Sequence, residues 1–309
     1  MCLYPKLIKN KKYTKTKKNG GIIPPIIDNR VLYVTAACGK CFECRKQKAR
    51  AWQVRMSEEL RENPNAIFVT LTISDESFEY IMNKYQIETN EECCKKMIRL
   101  FLERIRKETG KSLRHWFITE MGHENTERYH LHGIVWGIGT EEIIRRNWKY
   151  GFVFIGQYVN EKTINYVVKY MLKKDKDHKD YNPIVLCSAG IGAGYLNRSD
   201  SELNRYRAKN TNETYRLRNG TKLNLPIYYR NKIYTDDERE KLFIQKIDKG
   251  DVWVCGEKVN IADEESYTQL LKYHQKKAQR LHGDDPQEWE VAKYLRRLTK
   301  QRQAHKRTK

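Results

Sequence analysis

The sequence contains no long apolar run. None of its 309 residues lies in a stretch approaching the ~20 apolar residues that span a bilayer, and the N-terminus lacks a signal peptide's apolar core. Acidic residues are also scarce, since 39 Asp and Glu stand against 60 Lys and Arg and leave a net charge of +21. We therefore expect a soluble, intracellular protein with a polyanionic partner, most commonly nucleic acid. Ribosomal and membrane-surface proteins can be equally basic, so charge indicates only a class.

The chain also lacks the regular cysteine spacing of a disulfide-bonded secreted domain. Three of its eight cysteines, Cys38, Cys41 and Cys44, form a single C-x₂-C-x₂-C cluster. Zinc sites usually have four ligands, and iron–sulfur clusters likewise need a fourth thiolate. The available fourth ligands are Cys2, Cys187 and Cys255. Structural zinc and reduced thiols packed at the start of a helix both remain open, with an iron–sulfur cluster as a further alternative.

Residues 128–137 predict a buried strand that carries two histidines. Aromatic and branched apolar side chains crowd this stretch, and Gly137 closes it. Because side chains alternate along a strand, His130 and His132 share one face. Two adjacent imidazoles supply half of a divalent metal site, although an HxH pattern is also ordinary on a sheet surface.

A second strand is predicted just upstream, at residues 115–121. If the two strands pair as a hairpin, Glu120 falls opposite His130 and offers a third, oxygen ligand. Two nitrogens and one carboxylate leave open positions for Mg²⁺ or Mn²⁺ and for a phosphate oxygen of a substrate. The connection between the strands holds alternative ligands, which are His123, Glu124 and Glu127.

Residues 164–173 predict an amphipathic helix with tyrosines on its polar side. The apolar stripe consists of Ile164, Val167, Val168, Met171 and Leu172. At about 100° per residue, the side chains that fall opposite are Tyr166, Lys169, Tyr170 and Lys173. Tyrosines that filled a core would lie within the stripe. Two phenols one turn apart, with lysines nearby, suit attack on a phosphate.

An apolar strand, an acid, His-Leu-His and a Tyr-x-x-Lys-Tyr helix, in this order, resemble the motifs of the HUH endonucleases. Within that group, the sequence is similar to the replication initiators of small single-stranded DNA phages, the Microviridae, and especially to the gokushovirus branch. Residues 68–73 match the family's first motif, and residues 38–45 resemble the start of those phage proteins. The resemblance covers residues 38–174 well and the last hundred residues poorly.

The resemblance implies a rolling-circle replication initiator, a two-tyrosine DNA endonuclease and strand transferase that nicks and rejoins DNA through a covalent 5′-phosphotyrosine. The implied site residues are Glu120, His130 and His132 as ligands of Mg²⁺ or Mn²⁺, and Tyr166, Tyr170 and Lys169 as catalytic residues. Single-stranded DNA, origin DNA and the host replication helicase and polymerase would be partners, in the cytoplasm of an infected bacterium and without a membrane. Two rival hypotheses are a non-catalytic nucleic-acid-binding protein and a zinc-stabilised interaction protein.

The predicted element order β-α-β-β-α-β-α indicates an α+β fold. It predicts an antiparallel sheet with helices on one face, close to the ferredoxin-like motif, and the fold of the HUH family agrees. Thr140 is expected to cap a short helix. The glycine-rich residues 188–195 lack the patterns of nucleotide-binding loops. The expected segments are a solvated basic arm at 1–37, the cysteine cluster and a helix at 38–65, the nicking core at 66–175, a basic loop-like connection at 176–225 and a mostly helical basic region at 226–309.

Overall fold

The structure is a computed structural model that describes residues 1–122, 127–137, 139–175, 178, 181–285 and 287–304. The strands are β1 Lys6–Lys9, β2 Tyr33–Ala36, β3 Ala66–Thr72, β4 Arg114–Met121, β5 Tyr129–Trp136, β6 Val153–Gly156, β7 Val185–Cys187, β8 Thr214–Arg216, β9 Lys222–Asn224, β10 Asp251–Val254 and β11 Glu257–Asn260. The α-helices are α1 Phe42–Glu62, α2 Asp75–Tyr85, α3 Asn90–Thr109, α4 Thr140–Asn147, α5 Glu161–Lys169, α6 Ile227–Ile233, α7 Asp236–Lys249, α8 Glu264–His282 and α9 Val291–Gln303. The chain divides into a first unit, residues 1–48, 202–214 and 227–309, and a second unit, residues 49–201 and 215–226.

The second unit contains a five-stranded sheet with the strand order β6-β3-β5-β4-β7. Every neighbouring pair in this sheet is antiparallel. The strand that carries both histidines, β5, lies at its centre and pairs along its whole length with β4. The predicted combination of helices with an antiparallel sheet is therefore confirmed.

Helices cover both faces of this sheet, so the prediction of helices on one face is wrong. On one face, Val69 and Leu131 pack in a core with Phe101 of α3, together with residues of α2 and α4. On the other face, Trp116 and Ile134 pack with α1 and α5. The physical reason lies in β5 itself, where consecutive apolar side chains from 133 onward point to both faces and each face requires cover.

Three local predictions also need correction. The helix α2 was not predicted, because Ile81 is its single fully buried residue and leaves little apolar periodicity. The strand β7 lies in the segment expected to be loop-like, and its three residues pair with β4 far away in sequence. Gly139, in the left-handed conformation, occupies the N-cap position that was predicted for Thr140. The Thr140 hydroxyl instead donates to the Gly137 carbonyl at 3.3 Å.

The first unit has its own core, and it includes the N-terminal segment that was expected to be a solvated arm. The strands β1 and β2 form an antiparallel pair. Leu3 and Tyr4 are buried with Tyr267, Leu271 and Leu298 of helices α8 and α9. These isolated apolar residues join a core built from distant parts of the chain, which no local periodicity could reveal. No helix in the described ranges combines the length and the apolarity needed to cross a membrane.

Candidate active site

The sheet register brings the predicted ligands together. Glu120 on β4 lies opposite His130 on β5, as predicted, and Thr70 on β3 lies opposite His132. Because alternate residues of a strand share a face, Glu120, His130, His132 and Thr70 all belong to the sheet face that packs against α1 and α5. The sheet therefore presents a carboxylate and two imidazoles side by side.

His132 is held by contacts on every side of its ring. Its Nδ1 lies 3.0 Å from the Thr70 hydroxyl, and its Nε2 lies 2.9 Å from Glu120 Oε2. The ring of Tyr170 stacks on it with 4.4 Å between ring centroids and 6° between ring planes. Since Nδ1 is engaged by Thr70, Nε2 is the nitrogen directed at the carboxylate, and the ring cannot turn without losing several contacts at once.

Glu120 receives two positively polarised partners, one on each oxygen. Besides His132 at Oε2, Lys173 donates to Oε1 at 2.8 Å. Burial is the largest single influence and would raise the pKa of this carboxyl, but the hydrogen bonds from His132 and Lys173 outweigh it and the pKa is lowered. Glu120 is therefore a carboxylate at neutral pH, which is the form that binds a cation.

His130 lies beside His132 in a parallel orientation, with 6.3 Å between ring centroids. Burial lowers the pKa of His130 against a raising hydrogen bond with the Arg128 backbone, so the neutral, ligating form of the imidazole is favoured. Gly122 leaves room for this ring, because a Cβ at Gly122 would come within 3.2 Å of the His130 Cε1 and 3.1 Å of the Arg128 carbonyl oxygen.

Helix α5 carries the first tyrosine and ends just before the second. Asn160 caps its N-terminus by accepting from the backbone N–H groups of Lys162 and Thr163. The α-helix ends at Lys169, earlier than predicted, and Tyr170 follows it in a helical backbone conformation. The predicted apolar stripe is confirmed by the burial of Ile164, Val167, Val168 and Met171.

The two tyrosine hydroxyls meet beside His132. Tyr166 Oη lies 2.6 Å from Tyr170 Oη, and the two rings are arranged edge to face. Tyr166 is 47% exposed and contacts the ring of Phe68, whereas Tyr170 is half-buried. Burial raises the pKa of Tyr170 well above its usual value, and the hydrogen bond with Tyr166 and the negative charge of Glu120 act in the same direction. Tyr170 is therefore a neutral phenol unless a cation is brought close.

The lysines of this segment differ in their contacts. Lys173, which sequence analysis placed only on the polar side, is the lysine bonded to Glu120. Lys169, the predicted catalytic lysine, is exposed, and its side chain makes no hydrogen bond or ion pair among the described residues. Its ammonium group remains available to solvent and to a polyanion.

Two contributors to the site were missed by sequence analysis. Thr70 lies in the segment recognised as a first motif, but only the register of β3 against β5 shows that its hydroxyl reaches His132. Phe68, on the same strand and face, contacts Tyr166 and Phe154, and Phe154 is 51% exposed at the neighbouring edge strand. The alternation of Phe68 and Thr70 along β3 is the signal that would have paired them with the face of His132.

The alternative ligands do not displace Glu120. Glu127 has an exposed side chain, and its Oε1 lies 3.6 Å from His178 Nε2. His123 and Glu124 lie outside the described residues.

The donor set suits a divalent ion such as Mg²⁺ or Mn²⁺. One ionised carboxylate and neutral imidazoles are ligands of the kind that Mn²⁺ accepts, and His132 Nε2 already points at Glu120. Thr70 orients His132 from the far side of its ring, as partners of metal-binding histidines commonly do. His130 runs parallel to His132, so it is the least converged of the three residues.

Comparison with known proteins agrees with the motif order. Residues 66–175 match the model of a family described as replication-associated protein ORF2. Replication-associated protein ORF2 of Spiroplasma virus 4 is 27% identical over 196 residues, which cover 54% of this chain and 59% of that protein. Replication-associated protein VP4 of Bdellovibrio phage phiMH2K is 28% identical over 169 residues, covering 48% of this chain and 52% of that protein.

The chain thus matches between half and three-fifths of the length of these curated relatives. No solved structure matches the chain significantly. The family match includes Glu120, both histidines and both tyrosines within its bounds. The predicted resemblance to replication proteins of small phages is therefore confirmed.

Proposed function

We propose that this chain is the replication initiator of a small single-stranded DNA phage and nicks and rejoins DNA through tyrosine. The observation that carries the proposal is the pair of tyrosine hydroxyls, 2.6 Å apart, beside an imidazole that is itself hydrogen-bonded to a carboxylate. The relatives are named replication-associated proteins, which supports the same role. The sheet with its central His-x-His strand is compatible with an HUH-type core.

The proposed reaction is a phosphoryl transfer to a phenol. The Oη of Tyr166 or Tyr170 loses its proton and forms a bond to the scissile phosphorus, while the bond from phosphorus to the 3′ oxygen breaks. That oxygen takes up a proton and leaves as a free 3′-hydroxyl that can prime synthesis. The 5′ phosphate stays on the tyrosine as a phosphodiester, so the reverse reaction can rejoin the strand without ATP.

A divalent ion bound by Glu120, His130 and His132 would supply Lewis-acid polarisation of the phosphate and fix its position. The surrounding residues have their own tasks. His132, oriented by Thr70, holds one side of the phosphate position. Lys169 is exposed on the same helix as Tyr166, and its positive charge favours the phenolate and offsets charge that develops on phosphate.

Two neighbouring nucleophiles suit a rolling-circle cycle. The first cut leaves one tyrosine attached to DNA, so a second nucleophile must cut the regenerated origin. Tyr166 and Tyr170 are four residues apart on consecutive helical turns, and their hydroxyls already share one position in space. Either hydroxyl can therefore address the same phosphate.

The partner in this proposal is DNA in the cytoplasm of an infected bacterium. The net charge of +21 gives the chain a strong, sequence-independent attraction for phosphates. Single-stranded origin DNA is the substrate, and the host helicase and polymerase are the proteins that would extend the 3′-hydroxyl.

The test is a nicking assay on single-stranded DNA, carried out with Mn²⁺, with Mg²⁺ and with EDTA. His132→Ala is expected to abolish cleavage while DNA binding at low salt stays nearly unchanged, because phosphate contacts by basic residues supply that binding. The matched control is His282→Ala, which changes a histidine in the first unit. It should leave cleavage unchanged.

The rival hypotheses give different results in the same assay. A non-catalytic nucleic-acid-binding protein would bind the DNA and cleave none of it under any metal condition. A zinc-stabilised interaction protein would likewise give no product. Full cleavage by His132→Ala would contradict the assignment of this site.

A further inference from the structure

We propose that Cys2, Cys38, Cys41 and Cys44 bind one structural Zn²⁺ ion as four thiolates, with Cys2 as the fourth ligand that the C-x₂-C-x₂-C cluster requires. All four Sγ atoms lie within 4.8 Å of one another, and they are the one group of potential metal ligands this close among the described residues. The site lies in the first unit, and its role is separate from the nicking chemistry of the second unit.

The sulfur positions match the dimensions of a tetrahedral zinc site. With Zn–S bonds near 2.3 Å, the edges of a tetrahedron of sulfurs are about 3.8 Å long. The measured Sγ–Sγ separations are 3.9 Å for Cys2 and Cys41, 3.8 Å for Cys38 and Cys44, and 3.4 Å for Cys41 and Cys44. Four sulfurs at such spacing enclose room for one ion, whereas a disulfide needs about 2.05 Å between its two sulfurs.

Backbone N–H groups already point at the sulfurs as they do in thiolate sites. Cys2 Sγ accepts from the N–H of Tyr4 at 3.3 Å and from that of Cys38 at 3.2 Å. Cys38 Sγ accepts from the N–H of Cys41 at 3.3 Å. Neutral thiols gain little from such donors, but thiolates do, because each N–H offsets part of the negative charge that four sulfurs concentrate around a divalent ion.

The local chain path explains why these residues converge. Cys38 and Cys41 flank a tight turn after β2, in which Gly39 has a φ of +79°. Cys44 lies in the first turn of α1, where the positive end of the helix dipole stabilises a thiolate. Cys2 arrives from the N-terminal segment, which is held by the burial of Leu3. One ion would therefore join the N-terminus, the turn and the helix start.

The two remaining candidates for the fourth ligand belong elsewhere. Cys187 lies in β7 of the second unit, and Cys255 lies in the turn between β10 and β11 outside the group of four sulfurs. A [4Fe–4S] cluster is also disfavoured, since each of its thiolates binds a different iron and the sulfurs would have to stand farther apart than around a single ion.

The test measures metal content and spectroscopy of the full chain, purified without chelators and without a polyhistidine tag, in excess Mg²⁺. We expect about one zinc per chain in the unmodified protein. Cys2→Ser should lose most of this zinc, whereas Cys255→Ser and Cys187→Ser, the matched controls, should retain it. Cys2→His should restore zinc binding, since an imidazole can replace a thiolate. This rescue separates loss of a ligand from failure to fold.

Cobalt provides a readout of the ligands themselves. Replacing zinc by Co²⁺ should give the visible bands and sulfur-to-metal charge transfer of tetrahedral thiolate coordination, weaker in Cys2→His. Several results would overturn the proposal: zinc well below one equivalent with four freely alkylated thiols, iron in place of zinc, a disulfide within the cluster by mass spectrometry, or zinc retained by Cys2→Ser and lost from Cys255→Ser.

Discussion

Thr70→Val is the perturbation that most sharply examines how the sheet prepares His132. Valine keeps the shape and β-branching of threonine but removes the hydroxyl, which lies 3.0 Å from His132 Nδ1. All three proposed metal ligands remain in place. What changes is the partner that fixes the orientation of the ring and the nitrogen it presents to Glu120.

The expected magnitude follows from the kind of contact that is lost. Removing a hydrogen bond behind a metal-binding histidine commonly weakens metal binding by about 10- to 100-fold, or roughly 1.4 to 2.7 kcal/mol. The effect on folding should be smaller, at about 1 kcal/mol, since one ordinary hydrogen bond disappears. We therefore expect Thr70→Val to need about 10- to 100-fold more Mn²⁺ for half-maximal nicking, with nearly normal cleavage at saturating Mn²⁺.

The assay is a titration of Mn²⁺ against the initial rate of nicking, with Thr72→Val as the matched control. Thr72 lies on the same strand and the same face, and its hydroxyl makes no hydrogen bond in the described part of the chain. Thr72→Val should follow the unmodified titration curve. A Thr70→Val curve that coincides with the unmodified one would refute the role given to this hydroxyl, and so would a loss of rate that saturating Mn²⁺ fails to restore.

Other predictions concern the nucleophiles, the phosphate and the fold. Tyr166→Phe and Tyr170→Phe should each still allow a single nick but block the repeated cut-and-join cycle, measured as multiple turnover on a circular template. Lys169→Ala should slow the single nick without changing the Mn²⁺ titration midpoint, which separates a role on phosphate from one in metal binding. Burial would raise the pKa of Glu59, but the Arg114 ion pair and other hydrogen bonds lower it overall, so its stabilising contribution is present above pH 4.5 and lost as pH falls through the lowered value. Glu59→Gln should therefore lower the free energy of unfolding at pH 7 by about 3–5 kcal/mol and flatten the acid limb of a denaturation series; an unchanged acid limb would contradict this.

The local patterns of the sequence predicted the site well, because each of its parts is encoded in a short stretch. Alternation along β5 put His130 and His132 on one face, and helical periodicity put Tyr166 and Tyr170 opposite a buried stripe. Even the pairing of Glu120 with His130 follows from the length of one hairpin.

Contacts between distant segments could not be predicted in this way. The bond from Thr70 to His132 depends on the register between strands 62 residues apart, and β7 exists only because it pairs with β4. Cys2 was one of three equal candidates for the cysteine cluster until the fold brought it to Cys38 and Cys41. Cover on both sheet faces likewise depends on where α1 packs, which its own sequence does not specify.

The central claim is that tyrosine becomes covalently attached to DNA at this site. The most direct measurement uses single-stranded origin DNA that carries a label on the 3′ side of the cut, so that the label stays with the 5′-phosphorylated product, run on a denaturing gel with Mn²⁺ present. The unmodified protein should form a labelled adduct that peptide mass spectrometry locates on Tyr166 or Tyr170. The double variant Tyr166→Phe with Tyr170→Phe keeps both rings and their packing, and it should form none. An adduct formed by this double variant, or one located on any other residue, would contradict the account.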